Sequence, residues 1–152
     1  GQIVRVATTR WMQYGKFEAK FTCSNVPGAV TTFIVDSSST QKVTYGDEID
    51  WEIVGLTDTS AQSNLPTYQG NTKIGVFGGT HTYASGVSTD EHTYGIEWTH
   101  SAVTWSLDGV AVRTFSIGSG DSIAQSTNGG PAVQLASGQH WFPTTPSPIQ
   151  VG

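Results

Sequence analysis

Apolar residues recur at every second position in several short stretches of this chain, the spacing that turns one face of a β-strand into a core. In 17–22, Phe17, Ala19 and Phe21 share one side. In 48–53, Ile49, Trp51 and Ile53 do the same, and Tyr94, Ile96 and Trp98 repeat the pattern further on. The run 31–35 is short, β-branched and aromatic, as a buried strand would be. A strand over 73–77 is expected to end at Gly78-Gly79, read as a turn signal. The stretches 102–107 and 110–115 flank Asp108-Gly109. A two-residue Asp-Gly link supplies the positive φ of a type I′ turn, so a hairpin is expected there. Turn-rich clusters such as 36–40 separate the strands, and helical spacing is almost absent. The fold class that follows is all-β, with antiparallel strands closing into a sandwich. The segment 116–148 departs from the pattern, because Gly, Ser, Pro and Asn dominate it. A connection that long is read as a functional rim loop or a partly mobile one.

Composition narrows the function classes. The 152 residues fit one domain, read here as a single unit over 1–152. With 12% charged, 36% hydrophobic and 11% aromatic residues, the chain is unlike a disordered segment or a coiled coil. No apolar run is long enough to span a bilayer. Twelve acids against seven bases, net charge -5, argue against a nucleic-acid surface. Cys23 is the one cysteine and has no internal disulfide partner. His81, His92, His100 and His140 lack zinc-site spacing, and neither a phosphate loop nor a Gly-x-Ser-x-Gly elbow occurs. No metal or cofactor is expected. The chain begins Gly1-Gln2-Ile3 with no signal peptide, while high Gly, Ser and Thr with few charges lean towards an extracellular β protein.

One strand stands apart chemically. Asp47, Glu48, Asp50 and Glu52 fall within six residues, and no base occurs between Lys42 and Lys73. Strand geometry sends Glu48, Asp50 and Glu52 to the face opposite Ile49, Trp51 and Ile53. Three carboxylates in a row repel, so full ionisation is costly, and one carboxyl is expected to hold its proton while a neighbour stays charged. An acid beside a carboxylate is the pair that glycoside hydrolysis uses. Positions four apart on a strand lie ~13 Å apart at Cα. Glutamates leaning inward close their carboxyls to roughly 5–5.5 Å, the separation of a retaining pair. Spacing alone leaves three readings open: a solvated polar face on an edge strand, an acidic calcium site and a catalytic row.

The surrounding residues carry a resemblance. Tyr14-Gly15-Lys16-Phe17-Glu18-Ala19-Lys20 and Gly46-Asp47-Glu48-Ile49-Asp50-Trp51-Glu52-Ile53-Val54-Gly55 are similar to blocks of glycoside hydrolase family 16, whose signature is Glu-x-Asp-x-Glu. The blocks 61–64, 92–99, 103–109 and 142–150 continue the match in family order. Within the family the chain looks most like the fungal cell-wall Crh-type enzymes, which transfer chitin chains onto glucan. The resemblance implies a β-jelly-roll with a concave glycan-binding face, and double displacement with retention. It assigns the nucleophile to Glu48, assistance to Asp50 and the general acid/base to Glu52. It places Gln62 and Asn64 on the donor side of the cleft, and His92, Trp98 and Trp105 on or near the cleft strands as candidate sugar contacts. Trp105 shares a face with Val103 and Leu107, which points to the core instead. Trp141, beside His140, is a further candidate, either a rim platform or a plug under the loop. Sandwich domains of this kind run about 200–250 residues, so this chain is expected to be a shortened form. The implied partner is a polysaccharide or oligosaccharide bound by a secreted or cell-wall-associated monomer. The alternative is a lectin-like jelly roll that binds glycan without cutting it.

Overall fold

The computed structural model describes residues 4–38, 46–69, 72–83, 86–118 and 142–152. Ten strands build it: β1 (Val6–Ala7), β2 (Gly15–Phe21), β3 (Val30–Asp36), β4 (Glu48–Val54), β5 (Ser60–Gln69), β6 (Thr72–Thr82), β7 (His92–Trp98), β8 (Ala102–Leu107), β9 (Val110–Ser116) and β10 (Ile149–Val151). They form a six-stranded sheet in the order β1-β10-β3-β4-β5-β6 and a four-stranded sheet in the order β2-β7-β8-β9. Every pairing is antiparallel. The all-β, two-sheet expectation holds.

The period-two pattern is what joins the sheets. Phe33, Ile49, Trp51 and Ile53 of the large sheet meet Phe17, Tyr94, Ile96, Trp98, Val103 and Trp105 of the small one in a single core. Fully burying such side chains stabilises by about 1.5–3 kcal/mol each. The buried indoles also need hydrogen-bond acceptors. Trp51 Nε1 donates to the Gly95 carbonyl at 2.9 Å and Trp105 Nε1 to the Asp50 carbonyl at 2.9 Å, two bonds running in opposite directions across the sandwich. At the β6–β9 end, Arg113 Nη1 donates to Ser63 O and Oγ and Nη2 to Phe77 O, with the guanidinium 4.9 Å from the centre of the Trp105 ring. Burial lowers the pKa of Arg113. At the opposite end, an apolar recess of about 420 Å³ lies between the sheets, lined in part by Val6, Phe17, Ala19, Phe33, Ile149 and Val151.

The Asp108-Gly109 hairpin forms as expected, with φ of 51° and 81° and Leu107 paired to Val110. Gly78-Gly79 does not end its strand. β6 runs through both glycines to Thr82, pairing Gly78 with Asn64 and Gly79 with Ser63. Close packing explains their presence: a Cβ at Gly78 would lie 2.9 Å from Asn64 Oδ1, and one at Gly79 would lie 3.2 Å from Arg113 Cδ. Of the segment 116–148, residues 119–141, including Trp141, lie outside the described residues. Its last part is tied down: Ser147 bridges to Met12, and Gln13 Nε2 donates to the Thr144 carbonyl at 2.6 Å.

Candidate active site

β4 lies inside the large sheet, paired on both sides, so its acids do not sit on a solvated edge. Ile49, Trp51 and Ile53 are fully buried between the sheets, which turns Glu48, Asp50 and Glu52 to the outer face. The register builds a row around them. β3 sets Asp36, Ile34 and Thr32 opposite Glu48, Asp50 and Glu52. β5 sets Asn64 opposite Asp50 and Gln62 opposite Glu52.

Among the described residues, neutral donors meet the row. Asn64 Nδ2 donates to Glu52 Oε2 at 2.7 Å. Tyr68 Oη donates to Glu48 Oε2 at 2.7 Å. Asp36 accepts from the Ser38 N–H and hydroxyl, each at 2.8 Å. Asp47, the fourth acid of the cluster, accepts from the N–H groups of Thr144 and Thr145 at 2.7 and 2.8 Å. It fastens the chain leading to β10 beside the start of β4. Hydrogen bonds to ionised acceptors are stronger than neutral ones, and they favour the charged form. Burial, followed by the hydrogen bond to Glu48 and the charges of Glu48, Asp50 and Asp36, pushes the Tyr68 phenol well above its ordinary pKa. Among the described residues, no group of three or more His, Cys, Asp or Glu is arranged to hold a metal ion.

The expected site residues divide. Glu48, Asp50, Glu52, Gln62 and Asn64 share the outer face of adjoining strands. His92, Trp98 and Trp105 do not join them, and their reading as sugar contacts is corrected. Trp98 and Trp105 are 1% and 0% exposed. Trp98 Nε1 donates to the Pro143 carbonyl, and Trp105 Nε1 to the Asp50 carbonyl beneath the acidic row. His92 is 6% exposed, packed on Tyr83 and bonded through Nδ1 to Asp108 Oδ2 at 2.8 Å. Burial raises the Asp108 pKa, but the Thr93 N–H and His92 outweigh it and leave the group below its usual value. The alternation along β7 and β8 carries the physical reason, since each of these rings lies on the face that carries Tyr94, Ile96, Val103 and Leu107.

Sequence reasoning missed Tyr68 and Asp36. Tyr68 shares the parity of Gln62 and Asn64, a signal visible only once 60–69 is known to be a strand. Asp36 lay in a cluster read as a turn.

The residues 4–152 match the model of glycosyl hydrolases family 16. The chain belongs to this family. It is 33% identical over 146 residues to Crh-like protein 2 of Aspergillus fumigatus, covering 96% of this chain and 29% of that protein. A solved Crh5 transglycosylase superposes with a TM-score of 0.69 at 29% identity, over 97% of this chain and 51% of that one. The Bacillus licheniformis β-glucanase gives a TM-score of 0.68 at 22% identity, covering 97% and 56%, and shares the fold. These jelly-roll neighbours place the two-sheet architecture in the family fold. The chain spans about three-tenths of the length of that curated relative and about half of the solved chains.

Proposed function

We propose that this chain is a retaining glycosidase or transglycosylase acting on cell-wall β-glycans, chitin or β-glucan, as a secreted or wall-associated monomer. One observation carries the reading: Glu48, Asp50 and Glu52 occupy one face of β4, with a separate side-chain donor on Glu48 and on Glu52. The likeness to the solved Crh5 transglycosylase supports the transfer reaction.

In this reading the Glu48 carboxylate attacks the anomeric carbon and forms a glycosyl ester. Glu52, as the acid, gives its proton to the departing glycosidic oxygen. With Asn64 holding Oε2, the oxygen that carries that proton is Oε1. Glu52, now a carboxylate, removes a proton from water or from a sugar hydroxyl, whose oxygen attacks the same carbon and frees Glu48. Water gives hydrolysis and a sugar gives transfer. Asp50, between the two, assists through its charge, and Gln62 and Asn64 contact the donor glycan.

The test incubates the chain with chitin oligosaccharides, with and without a labelled β-glucan acceptor, and separates the products. Shortened or transferred chains with retained anomeric configuration are expected, and Glu48→Gln and Glu52→Gln should each remove them. Binding without products would favour the non-catalytic module, and an unchanged rate in either variant would overturn the mechanism.

A further inference from the structure

We propose that Tyr68 is a positioning residue for the glycosidic reaction: its phenol O–H, donated to Glu48 Oε2 at 2.7 Å, holds that carboxylate ionised and aimed for attack. The inference rests on the nucleophile role given to Glu48 above.

Asp36 faces Glu48 from β3, and Asp50 follows it on β4. Each neighbouring carboxylate favours the protonated, non-nucleophilic form of Glu48. A donor favours the charged form. From β5 the donor is Tyr68. Its own proton is secure, because burial and the same carboxylates raise its pKa. It therefore remains a donor across the pH range in which a glutamate titrates.

The backbone is shaped at the same point. The β5–β6 register slips between Thr67 and Tyr68. Bulges re-aim side chains and cluster beside active sites. Among the described residues, the buried Thr67 hydroxyl has no hydrogen-bond partner. An unmet buried hydroxyl is a local cost, retained next to the residue that reaches Glu48.

The test is a titration of Tyr68→Phe against wild type, using ¹³C-carboxyl-labelled glutamate, with the Glu48 resonance assigned from Glu48→Gln. Glu48 should titrate at a pH higher by about one unit in Tyr68→Phe. The exposed Glu18 and Glu97 should not move. On chitin oligosaccharides the acid limb of the pH–rate profile should move the same way, with kcat/KM at neutral pH lower by on the order of tenfold. An unchanged Glu48 midpoint overturns the inference, whatever the activity. Should Tyr68→Phe fail to fold, the wild-type Tyr68 Cζ resonance decides: it should shift with the Glu48 midpoint, and a flat Cζ response overturns the inference. Full turnover in Glu48→Gln would instead sink the mechanism, while the titration would still report on the Tyr68 bond.

Discussion

β2 and β4 are seven-residue strands with the same inner pattern and opposite outer ones. β2 turns Phe17, Ala19 and Phe21 inward, as β4 turns Ile49, Trp51 and Ile53. On its outer face β2 interleaves Lys16, Glu18 and Lys20, all exposed. Lys16 meets Glu18 at 2.8 Å and Lys20 meets Glu91 at 3.1 Å. The outer face of β4 carries Glu48, Asp50 and Glu52, half-buried or buried, with an amide and a phenol as partners. β2 is also an edge strand, where lysines discourage further pairing, while β4 is enclosed on both sides. The contrast separates two uses of one strand geometry. Alternating charge is what a sheet adopts when its outer face only meets water. On the proposed reading, a row of carboxyl groups met by an amide and a phenol is placed for chemistry.

Breaking the acidic row should have the largest effect. Glu48→Gln should lower turnover by roughly a thousandfold or more. The matched change on β2, Glu18→Gln, should leave turnover unaltered in the same assay. The support beneath the row comes next. Trp105→Ala removes a fully buried indole and its bond to the Asp50 carbonyl, and should cost about 3–5 kcal/mol in urea unfolding. The donors rank third. Asn64→Ala should reduce kcat by about tenfold with little change in the unfolding midpoint. Gly78→Ala, whose methyl would crowd Asn64 Oδ1, should reproduce part of that loss. Smallest is Lys16→Ala: the pair it breaks is exposed, so Tm should stay within about one degree of wild type. A large thermal effect there would erase the distinction between the two strands.

How legible each strand was follows from what sets its conformation. β4 and β7 announce themselves, because burial on one face forces a period of two. The Asp108-Gly109 hairpin is equally plain, since a local backbone requirement dictates its residues. β5 is not legible: Ser60, Gln62, Ser63, Asn64 and Pro66 have no apolar rhythm, and pairing to β4 and β6 holds the segment extended. Pro66 inside an interior strand runs against propensity. The carboxylates of the site could be read from spacing and motif, but the group that grips Glu48 could not, because Tyr68 reaches it beside a register slip. The glycines of β6 misled for a related reason. They mark close contact with Asn64 and Arg113, which only the folded neighbours reveal. Trp98 and Trp105 show the limit of likeness, since a position near a cleft strand can still turn its ring inward.

The paired indole bonds of Trp51 and Trp105 have a mechanical consequence. Each sheet grips the other's backbone at its middle, and one of the gripped carbonyls belongs to Asp50. On the proposed reading, a glycan drawn across the acidic row would pull against both sheets rather than against one ribbon. The carboxyl groups of the row should then keep their spacing under load, held from beneath by the two buried indoles.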